Sequence, residues 1–215
     1  MNTKLGITAI LCLFSNAATA GTGSVSAGYA SDYFYRGALV AEESVQAGVN
    51  YGADLSGFKA SLEASTNQSV EGGADAYIIS TGVSKQLGEL VDLYLGLQHF
   101  ELVDGNSNLD VELGFGISTI LNPSVSIFRD TDDDLYTFEL GVNHQFDLDV
   151  AELCVHALYG NTDVTKATDA DYWIAGAKAS KSISENADLA LSYDYVDSDL
   201  IDNESIFGVS LSVSF

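Results

Sequence analysis

The sequence predicts an all-β fold, a transmembrane antiparallel up-and-down β-barrel, on three observations. Apolar residues recur at every second position along most of the chain, which is the period of a strand and not of a helix. The positions between them are mainly Gly and Ser with scattered Asp, Glu and Gln. Beyond the first twenty residues no apolar run approaches the ~18 that a membrane helix needs, so a place in a bilayer requires a closed sheet.

The chain has 215 residues, with 31 acidic against 8 basic side chains and a formal charge of −23. It is 47% hydrophobic and holds 11 Tyr, 10 Phe and one Trp, too rich a composition for a disordered chain. Its few Lys and Arg are scattered, which excludes nucleic acid as a partner, since phosphate binding needs them clustered.

The chain opens with an address. Lys4 precedes the apolar run from Leu5 to Phe14, and Ala18, Thr19 and Ala20 put small residues at the −3 and −1 positions of a cleavage site. This reads as a secretory signal peptide over 1–20, cut before Gly21, with residues 21–215 forming one barrel domain. Leu11 before Cys12 argues against a lipoprotein. Cys154 is then alone, a packed residue rather than a nucleophile.

Twelve strands are predicted, with eight to ten as the alternative count. Val25 to Arg36 is the first, and Val45, Ala47, Val49 and Tyr51 alternate with Gln46, Gly48 and Asn50 in the second. Phe58 to Ser65, Tyr77 to Lys85 and Val91 to Phe100 follow. Leu109, Val111, Leu113, Phe115 and Ile117 alternate with Asp110, Glu112, Gly114 and Gly116 in the sixth. Val125 to Arg129, Tyr136 to Gln145, Leu153 to Tyr159, Tyr172 to Ser180 and Leu189 to Tyr195 come next. The last runs Phe207, Val209, Leu211, Val213, Phe215 against Gly208, Ser210, Ser212 and Ser214.

Small residues on the polar face suit the crowded concave side of a closed sheet, which turns the apolar face toward lipid; a soluble sandwich would carry longer polar groups there. Connections after even strands read as short turns at the periplasmic end, and those after odd strands, such as Gly37 to Glu43, Thr66 to Ala74 and Gly160 to Asp171, as longer outer loops. Aromatics near the outer strand ends, including Tyr33, Tyr35, Tyr77, Phe100, Phe128, Tyr136, Tyr172, Trp173, Tyr193, Tyr195 and Phe207, read as a headgroup girdle. The final strand ending in Phe215 resembles the signal recognised by the outer-membrane assembly machinery, so that machinery and outer-membrane lipid are the expected partners.

The stretch Val25-Ser-Ala-Gly-Tyr-Ala-Ser-Asp-Tyr-Phe-Tyr-Arg-Gly37 resembles the opening of the TorF-like porin family, whose hallmark is a Ser-Asp-Tyr-x-x-Arg-Gly segment, and the likeness continues through Val45 to Ala60. The resemblance implies a bacterial outer-membrane barrel classed as a porin, and it supplies neither catalytic residues nor an established solute.

Strict alternation puts Asp32 and Arg36 on the lumen face, with Asp110, Glu112 and Glu139 as further pore-lining residues. No catalytic, cofactor-binding or metal-binding set is expected, and no cofactor. Asp130, Asp132, Asp133 and Asp134 are dense enough to suggest calcium but lack the EF-hand spacing. The leading function is passive diffusion of small hydrophilic solutes with a preference for cations. The alternatives are a plugged structural or adhesive barrel and a barrel enzyme acting on lipid or peptide. Acidity from a saline habitat would be unrelated to selectivity.

Overall fold

The computed structural model describes residues 21–103 and 105–215; the expected leader lies outside them. Twelve strands form a closed antiparallel barrel in which each pairs with its neighbours in sequence and the last returns to the first. They are β1 (Gly21–Tyr35), β2 (Ala38–Leu55), β3 (Phe58–Gly73), β4 (Ala76–Leu87), β5 (Val91–Leu102), β6 (Ser107–Ile117), β7 (Ser124–Asp130), β8 (Tyr136–Leu148), β9 (Ala151–Thr165), β10 (Thr168–Ser184), β11 (Ala187–Ser198) and β12 (Ile201–Ser214). No helix among the described residues is long and apolar enough to cross a membrane.

The seam is closed from Ser24 opposite Ser214 to Ala30 opposite Gly208. Beyond it Gly23 N–H donates to the Phe215 carbonyl at 3.0 Å and Phe215 N–H to the Gly23 carbonyl at 2.9 Å. Closure leaves no edge with unpaired backbone groups, which is the condition for a sheet to sit in hydrocarbon.

The facing follows the sequence pattern. Leu113 is 57% exposed and Phe207 60%, on an outer surface shared with Leu95, Leu191, Val209 and Leu211. Gly114, Ser126, Ser210 and Ser212 line interior cavities. An exterior of bare Leu, Val and Phe would be an aggregation surface in water and is a lipid contact in a bilayer. The chain is therefore a transmembrane barrel of the outer-membrane type. Its unheated and boiled forms are expected to run at different mobilities on a denaturing gel; identical mobility would contradict a closed sheet.

The long outer loops of the sequence reading are not loops. Strand pairing continues through them, so that β2 reaches 18 residues and β10 17, against the ~9–11 that span a bilayer. Arg36–Gly37, at the end away from the termini, and Ser56–Gly57, at the end with them, are both tight hairpin turns with positive φ at both central residues. The physical reason is that a strand beyond the bilayer has water on its outer side. It then needs no apolar alternation to keep pairing, and its Asp, Asn and Gly mimic a loop.

Candidate functional site

The site begins at the hairpin between β1 and β2. Arg36 has φ of 50° and Gly37 of 80°, the paired left-handed conformation of a two-residue turn. For arginine this conformation is unfavourable and marks a residue held by its surroundings. Gly37 is doubly constrained, because a Cβ there would also lie 2.9 Å from the Tyr172 side chain.

What holds Arg36 is the interior of the barrel. Its Nη2 lies 3.0 Å from Asp110 Oδ2 on β6, with the arginine side chain 13% exposed and the aspartate 0%. The guanidinium lies 4.9 Å from the centre of the Tyr35 ring and 4.4 Å from that of Phe128 on β7. Tyr35 stacks on Phe100 of β5 with centroids 4.0 Å apart and planes 8° from parallel. A planar cation sandwiched by rings and paired with a carboxylate is an arrangement that arginine makes and lysine does not.

A shell of hydrogen bonds locks this plug. Asn108 Nδ2 donates to Asp110 Oδ2 at 2.7 Å, and Gln98 Nε2 donates to the Tyr35 hydroxyl at 2.8 Å. On the other side of the lumen Tyr172 of β10, 1% exposed, donates to Glu139 of β8. Its ring occupies the space above Gly160 of β9, where any Cβ would overlap it. Glu112, two residues along β6 from Asp110, accepts from Ser126 at 3.2 Å.

The plug divides the lumen. On the side of the hairpin lies a cavity of about 230 Å3 bounded by Tyr35, Arg36, Asn108, Asp130 and Thr137. Toward the termini lie a cavity of about 480 Å3 lined by Lys59, Asp92, Tyr94, Glu112 and Ser126 and one of about 660 Å3 lined by Lys178, Ser180, Asp188, Ser210 and Ser212.

Of the five lumen residues expected from the sequence, Arg36, Asp110, Glu112 and Glu139 come together around the plug. Asp32 does not join them. The backbone N–H of Phe207, which would meet β1 at Ser31, donates instead to the Ser31 hydroxyl at 3.0 Å. Opposite, Glu43 takes a φ of 48°. This irregularity reverses the alternation, so that Tyr33 enters a lumen cavity and Asp32 lies on the other face, near Tyr29, Glu43 and Glu71.

The aromatic girdle is smaller than expected. Tyr33, Tyr35, Phe100, Phe128 and Tyr172 are interior side chains, while Tyr77, Tyr136, Trp173, Tyr193, Tyr195 and Phe207 are exposed on the outside. Phe100, Phe128 and Tyr172 have the lumen parity of Gln98, Ser126 and Gly176, and that signal was available in the sequence.

Two other clusters resolve simply. Asp130 Oδ1 accepts the backbone N–H of Asp132 and Asp133, and Asp134 pairs with Arg129 at 2.8 Å, so the aspartate run builds its own turn. His156 Nε2 in the lumen lies 2.8 Å from Asp194 Oδ1, and no hydroxyl or thiol is hydrogen-bonded to that imidazole among the described residues.

No protein-family model matches the sequence, and no curated protein does. Solved structures of similar fold are numerous. A structure of KdgM porin superposes with a TM-score of 0.58 at 11% identity, covering 89% of this chain and 99% of that one. An outer membrane channel from Pseudomonas putida F1 gives 0.58 at 10% identity, with 91% and 95% covered. LpxR from Salmonella typhimurium gives 0.56 at 10% identity, with 89% and 99% covered. At these identities the likeness is one of architecture, and this chain shares with all three the fold of an outer-membrane barrel.

Proposed function

We propose that the protein is an outer-membrane porin, a passive channel for small hydrophilic solutes with a preference for cations, whose narrowest point is the Arg36 plug. The observation that carries the reading is the lumen itself. Wet-walled cavities of about 480 and 660 Å3 lie behind a plug made of a few side chains, not of a folded insertion. The resemblance of Val25 to Gly37 to TorF-like porins, and the porins and channels among the structures of similar fold, support it. Assembly through the strand that ends in Phe215 belongs to the same proposal.

Selectivity follows from the carboxylates that no Lys or Arg neutralises. Asp110 is neutralised by Arg36, and Asp194 faces His156. Asp54, Asp92 and Glu112 remain in the cavity of about 480 Å3 against Lys59, and Glu63 lines another with no basic residue. Fixed carboxylates concentrate cations and repel anions, more strongly at low salt. Purified protein in a planar bilayer is expected to conduct and to show a cation-selective reversal potential across a dilute potassium chloride gradient. Glu112→Gln should shift that potential toward zero, whereas an anion-selective pore would overturn the charge argument.

One observation favours a second reading, a structural barrel: the plug occupies the lumen fully enough to leave Asp110 with no exposed surface. Absence of conductance in correctly folded protein would select it. Cys154 offers an independent check. It pairs with Gln145 and Lys178 on the inward set of β9. A charged, membrane-impermeant thiosulfonate is expected to label it from water and reduce conductance, and a thiol unreactive in folded protein would contradict a wet lumen at that depth.

A further inference from the structure

A second lumen feature stands apart from the plug. Between β1 and β4 the wall holds a cavity of about 240 Å3, lined by Tyr33, Gln46, Glu63, Ser65 and Asn67 among others. Asn67 is 4% exposed, and both its amide oxygen and its amide nitrogen lack a hydrogen-bond partner. It lies opposite Gln46 on β2 and Ala76 on β4 and shares the inward parity of Glu63 and Ser65. A buried amide with both ends unmade is costly and calls for a partner that the chain itself does not supply.

The charge at this cavity is one-sided. Glu63 is exposed to the lumen and has no ion-pair partner among the described residues. No base lines this cavity: Lys59 lines the neighbouring one together with Asp54 and Asp92, and Arg36 is bound to Asp110. Tyr33 reaches the same cavity and lies within electrostatic range of Glu63. The site thus offers a carboxylate and an aromatic ring for a cation, and an amide able both to donate and to accept. Glu63 and Asn67 are four residues apart on one strand, ~13 Å between Cα atoms, and their side chains shorten that gap.

From these observations we infer that the cavity binds a small organic ammonium compound carrying a hydroxyl, of the amino-alcohol class. The ammonium donates to Glu63 and rests against the Tyr33 ring. The hydroxyl donates to Asn67 Oδ1 and accepts from Nδ2. Anions find no base in the lining of this cavity, and neutral polyols forgo the carboxylate's attraction. The inference rests on the channel reading, because a solute reaches the cavity through the lumen, and it names the class of solute the wall would retain.

The test uses the full barrel folded in detergent, with ethanolamine as the probe at neutral pH and low salt, and glycerol and glycolate as neutral and anionic counterparts. Calorimetry should show saturable ethanolamine binding and at least about tenfold weaker binding of the other two. Asn67→Leu and Glu63→Gln, each checked for heat-modifiable mobility, should each weaken ethanolamine binding about tenfold or more. Equal binding of glycerol would overturn the ammonium assignment in favour of a polyol site. Unchanged affinity in Glu63→Gln, or no saturable binding of any probe to wild-type protein, would overturn it outright. Conductance is recorded on the same preparation. An open pore without ethanolamine binding rejects the site and leaves the channel reading standing, whereas binding by a barrel that does not conduct sustains the site and rejects the channel.

Discussion

Replacing Arg36 by alanine is expected to raise single-channel conductance at least about twofold, since it removes the cation around which the proposed constriction is built. The guanidinium fills the space between Tyr35, Phe128 and Asp110, and among the described residues no other basic side chain pairs with Asp110. Its loss also leaves a carboxylate of 0% exposure with only the Asn108 and Tyr35 hydrogen bonds. Stranding one member of a buried pair costs ~3–5 kcal/mol, so water must enter or the plug must rearrange. Either response widens the passage.

Two further variants separate those effects. Arg36→Ala combined with Asp110→Asn removes the stranded charge and should keep the wide conductance while restoring thermal stability toward wild type. Arg36→Lys keeps the charge but cannot present a planar face to two rings, and should conduct at an intermediate level. Because the pair is buried, its hold is screened little, and closure by the plug should persist from low to high salt. Conductance unchanged in all three would place the constriction elsewhere.

The reach of the sequence is clearest by depth. Within the bilayer every strand was legible, because lipid on one side and water on the other force a strict alternation. Leu109 to Ile117 is the plainest case, with Leu113 outside and Gly114 inside. Nearer the rim both sides meet water or crowded side chains, and the alternation loses its cause. That is why Thr66 to Gly73 reads as loop and folds as the continuation of β3. It is also why Asp32 was misplaced, since nothing in Ala30-Ser31-Asp32 announces that the Ser31 hydroxyl will accept a ladder N–H from β12.

The site was legible in part for a related reason. Asp110, Glu112 and Glu139 are charges that cannot face lipid cheaply, so parity and energy agree on them, whereas Arg36 lies beyond the irregularity at Ser31 and enters the interior from its turn with Gly37. The rings of the plug were ambiguous by type, because Tyr and Phe suit both a headgroup girdle and a packed interior. Parity resolves Phe100, Phe128 and Tyr172, whereas Tyr35 required the irregularity at Ser31.

Charging the lipid face should damage assembly far more than charging the lumen. Leu113 is 57% exposed on the outer surface, flanked across the sheet by Leu95 and Ile127. An arginine near the midplane costs ~2–4 kcal/mol, so Leu113→Arg should lower the folded-to-unfolded ratio roughly 30-fold or more. The lumen comparator is best placed at Ser210, beside the cavity of about 660 Å3 that also holds Ser212 and Lys178. Gly114, although inward, is a poor choice, because a Cβ there would lie 3.3 Å from that of Tyr94 and packing would be disturbed along with charge. Ser210→Arg should therefore fold with near wild-type yield and shift the reversal potential toward anions. The folded fraction is read from the heat-dependent gel shift of each variant. Equal loss of folding in Leu113→Arg and Ser210→Arg would mean that the two faces do not differ in polarity as the barrel requires.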